Sequence, residues 1–451
     1  MPIFGRRRLQ AVLNELTPFM DASKARDLIA RLDDKKRPDQ ALGAEWELIL
    51  LWALSQLGDF EVEPEWLASA DKPDAYSGTL FEREETLIEI MALSDVAISG
   101  EIEMRSVAQK ICDAANKIRA GAGKHLSFRF LEETGYENGE YFRRRKVSRG
   151  FALTQDVMVS LKTWIERECE PGKPLRIVTS YVDVLVDWQD HEQRTPQVWC
   201  SMPPLVHSLD DNPLIKRLRE KKRQLRGSAR GARLCIFLAD AGSSLLRHLH
   251  QRDPCNRTVS GSAIIQHFLK NDGDIDAVFV FAIVRDRSIF SSTWSKPRIA
   301  ITTFLAPGRT SNYATSLRKI EACLPPPRFE GYQARSLVMQ QAFTPTSRPW
   351  YAGTEFVHKG TGGPMIVKFS SRALLELIAG KITQTEFAKW TGVNDNSVLA
   401  RLLREGFTMS AVSLQPAGLD NDDDHFVIEL QRDPAASPLV AISKVGADAE
   451  D

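Results

Sequence analysis

The chain has no Cys-x-x-Cys pair; its six cysteines, Cys112, Cys169, Cys200, Cys235, Cys255 and Cys323, are scattered. That pattern excludes a zinc ribbon or a disulfide framework and fits a reducing compartment. The eight histidines are equally dispersed, and the tightest pair, His248 and His250, has a poor ligand spacing for a helix. Long apolar runs are missing too. The longest, Leu48–Leu54 and Ala277–Val284, fall far short of the ~20 residues that cross a bilayer. The opening MPIFGRRRLQ is basic, but a mixed polar helix follows where a signal peptide carries its apolar stretch. The expectation is a cytoplasmic protein with no membrane partner. No internal repeat is visible.

Net charge is likewise absent, with 59 Lys and Arg against 59 Asp and Glu, but the charges are unevenly placed. Arg6–Arg8, Arg143–Lys146 and the stretch from Lys216 to Arg233 are basic, whereas Asp420, Asp422–Asp424 and the terminal ADAED are acidic. Local patches of this kind, not the total, set what a groove attracts.

What is present is an ordinary globular composition, 43% hydrophobic and 26% charged over 451 residues. This is more chain than one core usually organises. We expect an α/β protein: an N-terminal helical segment (1–40), an αβββαβ core (41–150), a second α/β region carrying a basic helix (151–365), and a small, mostly helical C-terminal module with an acidic tail (366–451). In ALGAEWELILLWALSQLG, Trp46, Ile49, Leu50, Ala53, Leu54 and Leu57 recur at helical spacing, and Gly58 ends the helix. Short strands follow around Phe60–Glu65 and Thr86–Leu93, then a helix over Glu101–Ala120 and a strand over Leu126–Leu131. Strands at Leu234–Leu238, Ala277–Val284 and Arg298–Phe304 either extend that sheet or build a second one.

The candidate chemistry sits on TLIEIMAL. Side chains alternate along a strand, so Glu89 lies between Leu87 and Met91 on one face. A carboxylate placed there is costly to bury without a cation, a metal or strong donors. Asp74 stands fifteen residues earlier, close enough to lie on the adjacent strand. Two carboxylates converging from neighbouring strands suit Mg²⁺, which takes hard oxygen ligands and keeps several waters. Glu47, one helix upstream, could complete that shell or hold a coordinated water. The plain structural alternatives are an exposed helix glutamate, a Pro-Asp turn at Pro73-Asp74, and a buried ion pair of Glu89 with Arg105 or Lys110.

Helix, three strands, helix and strand, with Glu47, then Pro73-Asp74, then Glu89-x-Met91, resembles the PD-(D/E)xK, or restriction-endonuclease-like, superfamily. The helical Glu lies eleven residues before the helix-ending Gly58, much as in the Mrr-like members. The resemblance covers roughly residues 40–135. It implies a nuclease-type core with Asp74 and Glu89 as ligands of Mg²⁺ or Mn²⁺, Glu47 as an accessory ligand, and phosphodiester hydrolysis of DNA or RNA as the activity. An effector role in bacterial defence against phage goes with it. In place of the superfamily's lysine the chain has Met91; Lys110 or Lys117 on the next helix, or Lys72, could supply that ammonium. The alternative is a catalytically inactive core that binds nucleic acid or serves as a scaffold. The two readings differ in whether a lysine ammonium lies within about 5 Å of Asp74 and Glu89.

Three further features bear on partners, expected to be nucleic acid, DNA ahead of RNA, with a homo-oligomer or a partner subunit as further options. Lys216, Arg219, Lys221, Lys222 and Arg223 crowd one helix, and Arg143, Arg144, Arg145 and Lys146 stand beside Tyr141 and Phe142. Such residues can neutralise phosphates and stack bases, although a solvated helix face is the commoner use. Asp240, at the end of the apolar LCIFLA strand, is a secondary site candidate, or the cap of the following turn. Finally, TQTEFAKWTGVNDNSVLARLLREG resembles a helix-turn-helix, which would turn Asn394, Asn396, Ser397 and Arg401 toward a major groove.

Overall fold

The computed structural model describes residues 3–34, 38–67, 72–81, 84–96, 100–137, 139–148, 150–192, 197–200, 206–226, 231–252, 257–285, 297–309, 313–335, 355–358, 365–391 and 398–433. Helices α1 (Arg6–Leu16) and α2 (Ala22–Leu32) lead into α3 (Pro38–Ser55). Strands β1 (Phe60–Val62), β2 (Ala75–Phe81) and β3 (Glu84–Leu93) follow as an antiparallel meander. From Ala41 to Leu54 nearly every apolar residue of α3 is buried. A helix that is apolar all round must be covered on every side, and here α1 and α2 cover the face that the sheet does not. Phe4 meets Trp46 edge-on at 5.2 Å, and the indole N–H of Trp46 donates to the Asp240 carbonyl at 2.7 Å.

After β3 the chain leaves the sheet. Helix α4 (Glu101–Ile118), strands β4 (Leu126–Phe130), β5 (Glu132–Glu137) and β6 (Glu140–Arg145), helix α5 (Gln155–Arg167) and strands β7 (Leu175–Val178), β8 (Asp183–Trp188) and β9 (Gln197–Cys200) come next. They build a four-stranded sheet of order β7-β8-β4-β9, with a separate β5–β6 hairpin. Met104, Ile111, Phe128, Leu161 and Val184 belong to a core of its own.

The chain then returns. Helix α6 (Pro213–Arg226) feeds β10 (Arg233–Asp240), which pairs with β3 in parallel, Ile236 beside Glu89. Helix α7 (Gly261–Asn271), strands β11 (Ala277–Val284) and β12 (Arg298–Leu305), and helix α8 (Ala314–Cys323) complete a six-stranded sheet of order β1-β2-β3-β10-β11-β12. Strands β10 and β11 are apolar almost throughout because helices cover both faces. Cys235, Phe237 and Ala239 face the α3 side, and Leu234, Ile236 and Leu238 the α6 and α7 side.

The expected division at residue 150 is therefore corrected. The helix and strand at 101–120 and 126–131 do not continue the first sheet; α6 and β10 do, and the region between β3 and α6 is inserted. Sequence order suggested otherwise because the segment after β3 itself begins with a helix and a strand, the next two elements of the expected αβββαβ order.

Strands β13 (Glu355–His358) and β14 (Met365–Ser370), helices α9 (Ser371–Ile378), α10 (Gln384–Thr391) and α11 (Val398–Arg404), and strands β15 (Phe407–Gln415) and β16 (His425–Arg432) form the C-terminal unit. The helices accompany a four-stranded antiparallel sheet of order β13-β14-β16-β15, of which β15 and β16 follow them in the chain. No helix among the described residues is long and apolar enough to cross a membrane.

Two of the charge clusters find each other. The Arg6 amide donates to Asp422 at 2.7 Å, Arg7 Nη1 to Asp424 at 2.8 Å and Arg8 Nε to Asp420 at 2.8 Å, while Arg328 also reaches Asp422. The acidic stretch at 420–424 is thus a docking loop for α1; the terminal ADAED lies outside the described residues. Since Arg7 and Asp424 are about a third exposed, solvent screens the pair. A double-mutant cycle of Arg7→Glu and Asp424→Arg, followed by urea denaturation, is expected to give a small favourable coupling that shrinks in high salt. Zero coupling at low salt would show that the contact contributes nothing to docking.

Candidate functional site

Asp74 ends the loop before β2, and the pairing of Ala75 with Ile88 sets Asp74 beside Glu89 on the neighbouring strand. Asp74 Oδ2 accepts the Ile90 amide at 2.7 Å, which fixes it to the strand. Glu89 is 1% exposed on the sheet face that α6 covers. Lys221 of α6 reaches both acids: its ammonium is 2.5 Å from Glu89 Oε2 and 3.6 Å from Asp74 Oδ2. The second oxygen of Glu89, Oε1, is buried and accepts no hydrogen bond.

On the other side of Asp74 stands a second ammonium. Lys24 of α2 lies 2.6 Å from Glu63 Oε1, 3.0 Å from Glu47 Oε1 and 3.9 Å from Asp74 Oδ1. Glu47 also receives a two-pronged guanidinium contact from Arg31, at 2.6 and 3.0 Å. The result is a row of alternating charge, Arg31, Glu47, Lys24, Asp74, Lys221 and Glu89, with Glu63 beside Lys24.

Burial raises the pKa of Glu89, and the Asp74 carboxylate pushes it further in the same direction against the pull of Lys221. Burial would also raise Glu47, but the hydrogen bonds and charges of Arg31 and Lys24 outweigh it and hold the carboxyl below the usual range. For Lys24 and Lys221 burial works to lower the pKa, and the surrounding carboxylates overcome it, so both stay protonated.

Of the sequence candidates, Glu47, Asp74 and Glu89 come together. Glu47 is paired with Arg31 and Lys24 and so holds Lys24 in place, as Asp74 and Glu89 are paired with Lys221. Lys110 is not at the site: it lies on α4 of the insertion, and its ammonium donates to the Phe151 carbonyl at 2.8 Å. Lys117 and Lys72 are exposed. Met91, 5% exposed, packs with Leu87, Leu218 and Leu238 in the core under α6.

Lys221 was expected on a phosphate-binding face, and the structure turns it inward. Leu214, Leu218 and Leu225 are fully buried, and position 221 continues their stripe at the i, i+4, i+7, i+11 spacing of one helix face. A lysine on an apolar stripe was the readable sign that an acid waits opposite. Lys24 heads a similar stripe with Leu28 and Leu32, both buried. Glu63 carried no comparable signal.

The basic patches are also largely consumed within the chain. Lys216 pairs with Asp211 at 2.5 Å and Arg219 with Asp210 at 2.8 Å, while Lys222 bonds to Asp272. Arg223 is exposed. On β6, Arg143 and Arg145 pair with Glu132, and Arg144 stands opposite Glu133 in the ladder, with Lys146 just beyond the strand. These runs read as free basic faces in sequence because the acids that answer them are on other elements. Asp240 accepts the amides of Gly242 at 2.9 Å and Ser243 at 2.8 Å, and therefore serves as the cap of the turn. It lies four residues along β10 from the partner of Glu89, roughly 13 Å at the usual strand rise. Arg401 is exposed and faces Glu405 at 3.7 Å; Asn394, Asn396 and Ser397 lie outside the described residues.

The donor set at Asp74 and Glu89 fits one hard divalent cation. Two adjacent carboxylates, one with an unused buried oxygen, suit an ion that keeps most of its waters. Among the described residues no group of three His, Cys, Asp or Glu side chains is arranged to hold a metal by itself. Comparison with protein-family models, curated proteins and solved structures gave no match for the chain.

Two acids on α3 show how much surroundings decide. Glu45, 1% exposed, accepts the amides of Ile3 and Phe4 at 3.0 and 3.1 Å with one oxygen. Burial pushes its carboxyl up to about 7 from the ordinary 4.5. A carboxyl whose pKa is raised on folding loses stability as pH climbs from the unfolded to the folded value. Glu45 therefore removes on the order of 3 kcal/mol between pH 4.5 and 7. Glu47 has the opposite sign: its contribution is present above the ordinary carboxyl value and is lost in stronger acid. Glu45→Gln keeps an oxygen for the two amides and removes the titration. Urea denaturation should show this variant gaining on the parent protein as pH rises from 5 to 8; parallel curves would refute the assignment.

Proposed function

We propose that the protein is a metal-dependent nuclease hydrolysing phosphodiester bonds in nucleic acid, with Asp74, Glu89 and Lys221 as its active residues. The observation that carries this reading is the Lys221 ammonium in contact with both acids. The chemistry needs a cation beside the carboxylates, Met91 cannot supply it, and a helix from beyond the insertion does.

Asp74 and Glu89 would hold Mg²⁺ or Mn²⁺, which when bound polarises a phosphoryl oxygen and lowers the pKa of a coordinated water. Lys221 would donate a hydrogen bond to a phosphoryl oxygen as negative charge develops on it, an interaction strengthened by burial. Asp74 is held by the Ile90 amide and by both ammonium groups, so little reorganisation is needed there. DNA is the favoured substrate over RNA, and a place in bacterial defence against phage follows from the superfamily resemblance. Met91 favours a second reading, a nuclease-like core that binds nucleic acid without turnover.

Purified protein with Mg²⁺ or Mn²⁺ is to be assayed on single- and double-stranded DNA and RNA, alongside Asp74→Asn, Glu89→Gln, Lys221→Met and Lys110→Met. The first three are expected to lose about 100-fold or more in turnover while keeping their folded spectra, and Lys110→Met to match the parent protein. Undiminished cleavage in Asp74→Asn or Glu89→Gln would discard the site. Binding without turnover in the parent protein would favour the inactive reading.

A further inference from the structure

Among the described residues, β15 is the longest strand at a sheet edge, nine residues from Phe407 to Gln415, and no strand pairs with its outer side. A free edge is a row of unused amides and carbonyls, which proteins normally guard with a charge, a proline or a short length. The other outer strands of the three larger sheets are guarded. Glu61 stands on β1, Arg298 on β12, Arg176 on β7 and Glu355 on β13, while β9 is only four residues long. Strand β15 reads FTMSAVSLQ, without a charge or a proline, in a chain that is 26% charged.

One face of the strand is as open as its edge. The ladder with β16 sets Met409 opposite Leu430, Val412 opposite Ile428 and Leu414 opposite Phe426. Those three β16 residues lie in or against the core under the helices. Opposed residues share a face, so the apolar side chains of β15 point to the core side. Helix α11 packs against β15 and Phe407 joins the core, yet Met409, Val412 and Leu414 remain 60%, 46% and 58% exposed. The core side of the sheet thus ends in an uncovered apolar shelf beside a free edge.

We propose that β15 is the surface on which two copies of this chain associate, edge to edge and antiparallel, with a two-fold axis through Ser413. A partner recognised by charge finds nothing to pair with on this strand, whereas a second copy meets no like charge. The register also closes on itself. Because opposed residues share a face, the axis must pass through a residue and not between two. At Ser413 it sets Val412 against the partner's Leu414, twice by symmetry, and Ala411 against the partner's Gln415, so the exposed apolar side chains cover one another on the core side. An axis at Leu414 would set Val412 against Pro416, which has no amide to donate. An axis at Val412 would run into the bulge between Met409 and Ala411. A ladder from Ala411 to Gln415 is at the small end of specific interfaces, so the dimer is reversible.

Sedimentation velocity on the full-length chain tests the proposal. Between about 1 µM and about 100 µM the parent protein is expected to pass from monomer to dimer, the range of a small interface. Ser413→Lys, which sets two like charges against each other at the axis, is expected to stay monomeric. Position 413 is exposed, so its circular dichroism spectrum should match the parent's. Under copper–phenanthroline, Ser413→Cys is expected to give a disulfide-linked dimer, and the parent protein and Thr408→Cys, which lies beyond the ladder, are not. A parent protein that stays monomeric at the highest concentration, or a dimer that survives Ser413→Lys, would overturn the association. So would a dimer that forms only after residues 434–451 are removed, since the chain's own C-terminal segment would then be the occupant. Crosslinking through Thr408→Cys and not through Ser413→Cys would overturn the axis.

Discussion

A carboxylate in the middle of a covered strand cannot stay there alone, because burying a charge without a partner costs several kcal/mol. Glu89 meets that condition through Lys221, and the requirement reaches far into the architecture. The helix that carries Lys221 must lie across β3, and β10 must then pair with β3 in parallel so that α6 feeds it from the right side. The elements from α4 to β9 accordingly stand aside with their own sheet and core. Removing either charge would leave its partner buried, so the pair binds the two distant halves of the core sheet together as well as furnishing the candidate chemistry.

The same rule orders the charges elsewhere. A chain with no net charge could present large positive and negative faces. Instead, Arg6–Arg8 dock on Asp420–Asp424, Lys216, Arg219 and Lys222 of α6 turn to Asp211, Asp210 and Asp272, and Arg143 and Arg145 of β6 answer Glu132. Pairs near the surface are individually weak, but they show why runs of like charge in the sequence did not become free patches in the fold. The row from Arg31 to Glu89 is different in kind, because it is buried and its members share partners. Its pKa shifts follow from that sharing and from burial together.

Much of the core was legible because its signals are local. The α3 stripe, the alternation that put Glu89 inside, and the fifteen-residue spacing to Asp74 all lie within one or two elements. The structure brings Glu47, Asp74 and Glu89 together as those signals suggested. What could not be read was the partner of each acid. Lys110 was the nearest helical lysine in sequence and is in another layer of the molecule, bonded to the Phe151 carbonyl. Lys221 is 132 residues from Glu89, and only its place on an apolar stripe marked it. Glu63 gave no sign at all, since its role depends on a backbone bend.

The sequence by itself therefore determined an α/β chain with a buried acid on a central strand and a second acid beside it, because strand alternation and short loops leave few other arrangements. Only the tertiary structure decided which cations neutralise those acids. Ion pairs form between side chains that the fold brings within a few ångströms, whatever their separation along the chain. An insertion of over a hundred residues moved the matching helix out of sight of any spacing rule, while leaving its geometry against β3 intact.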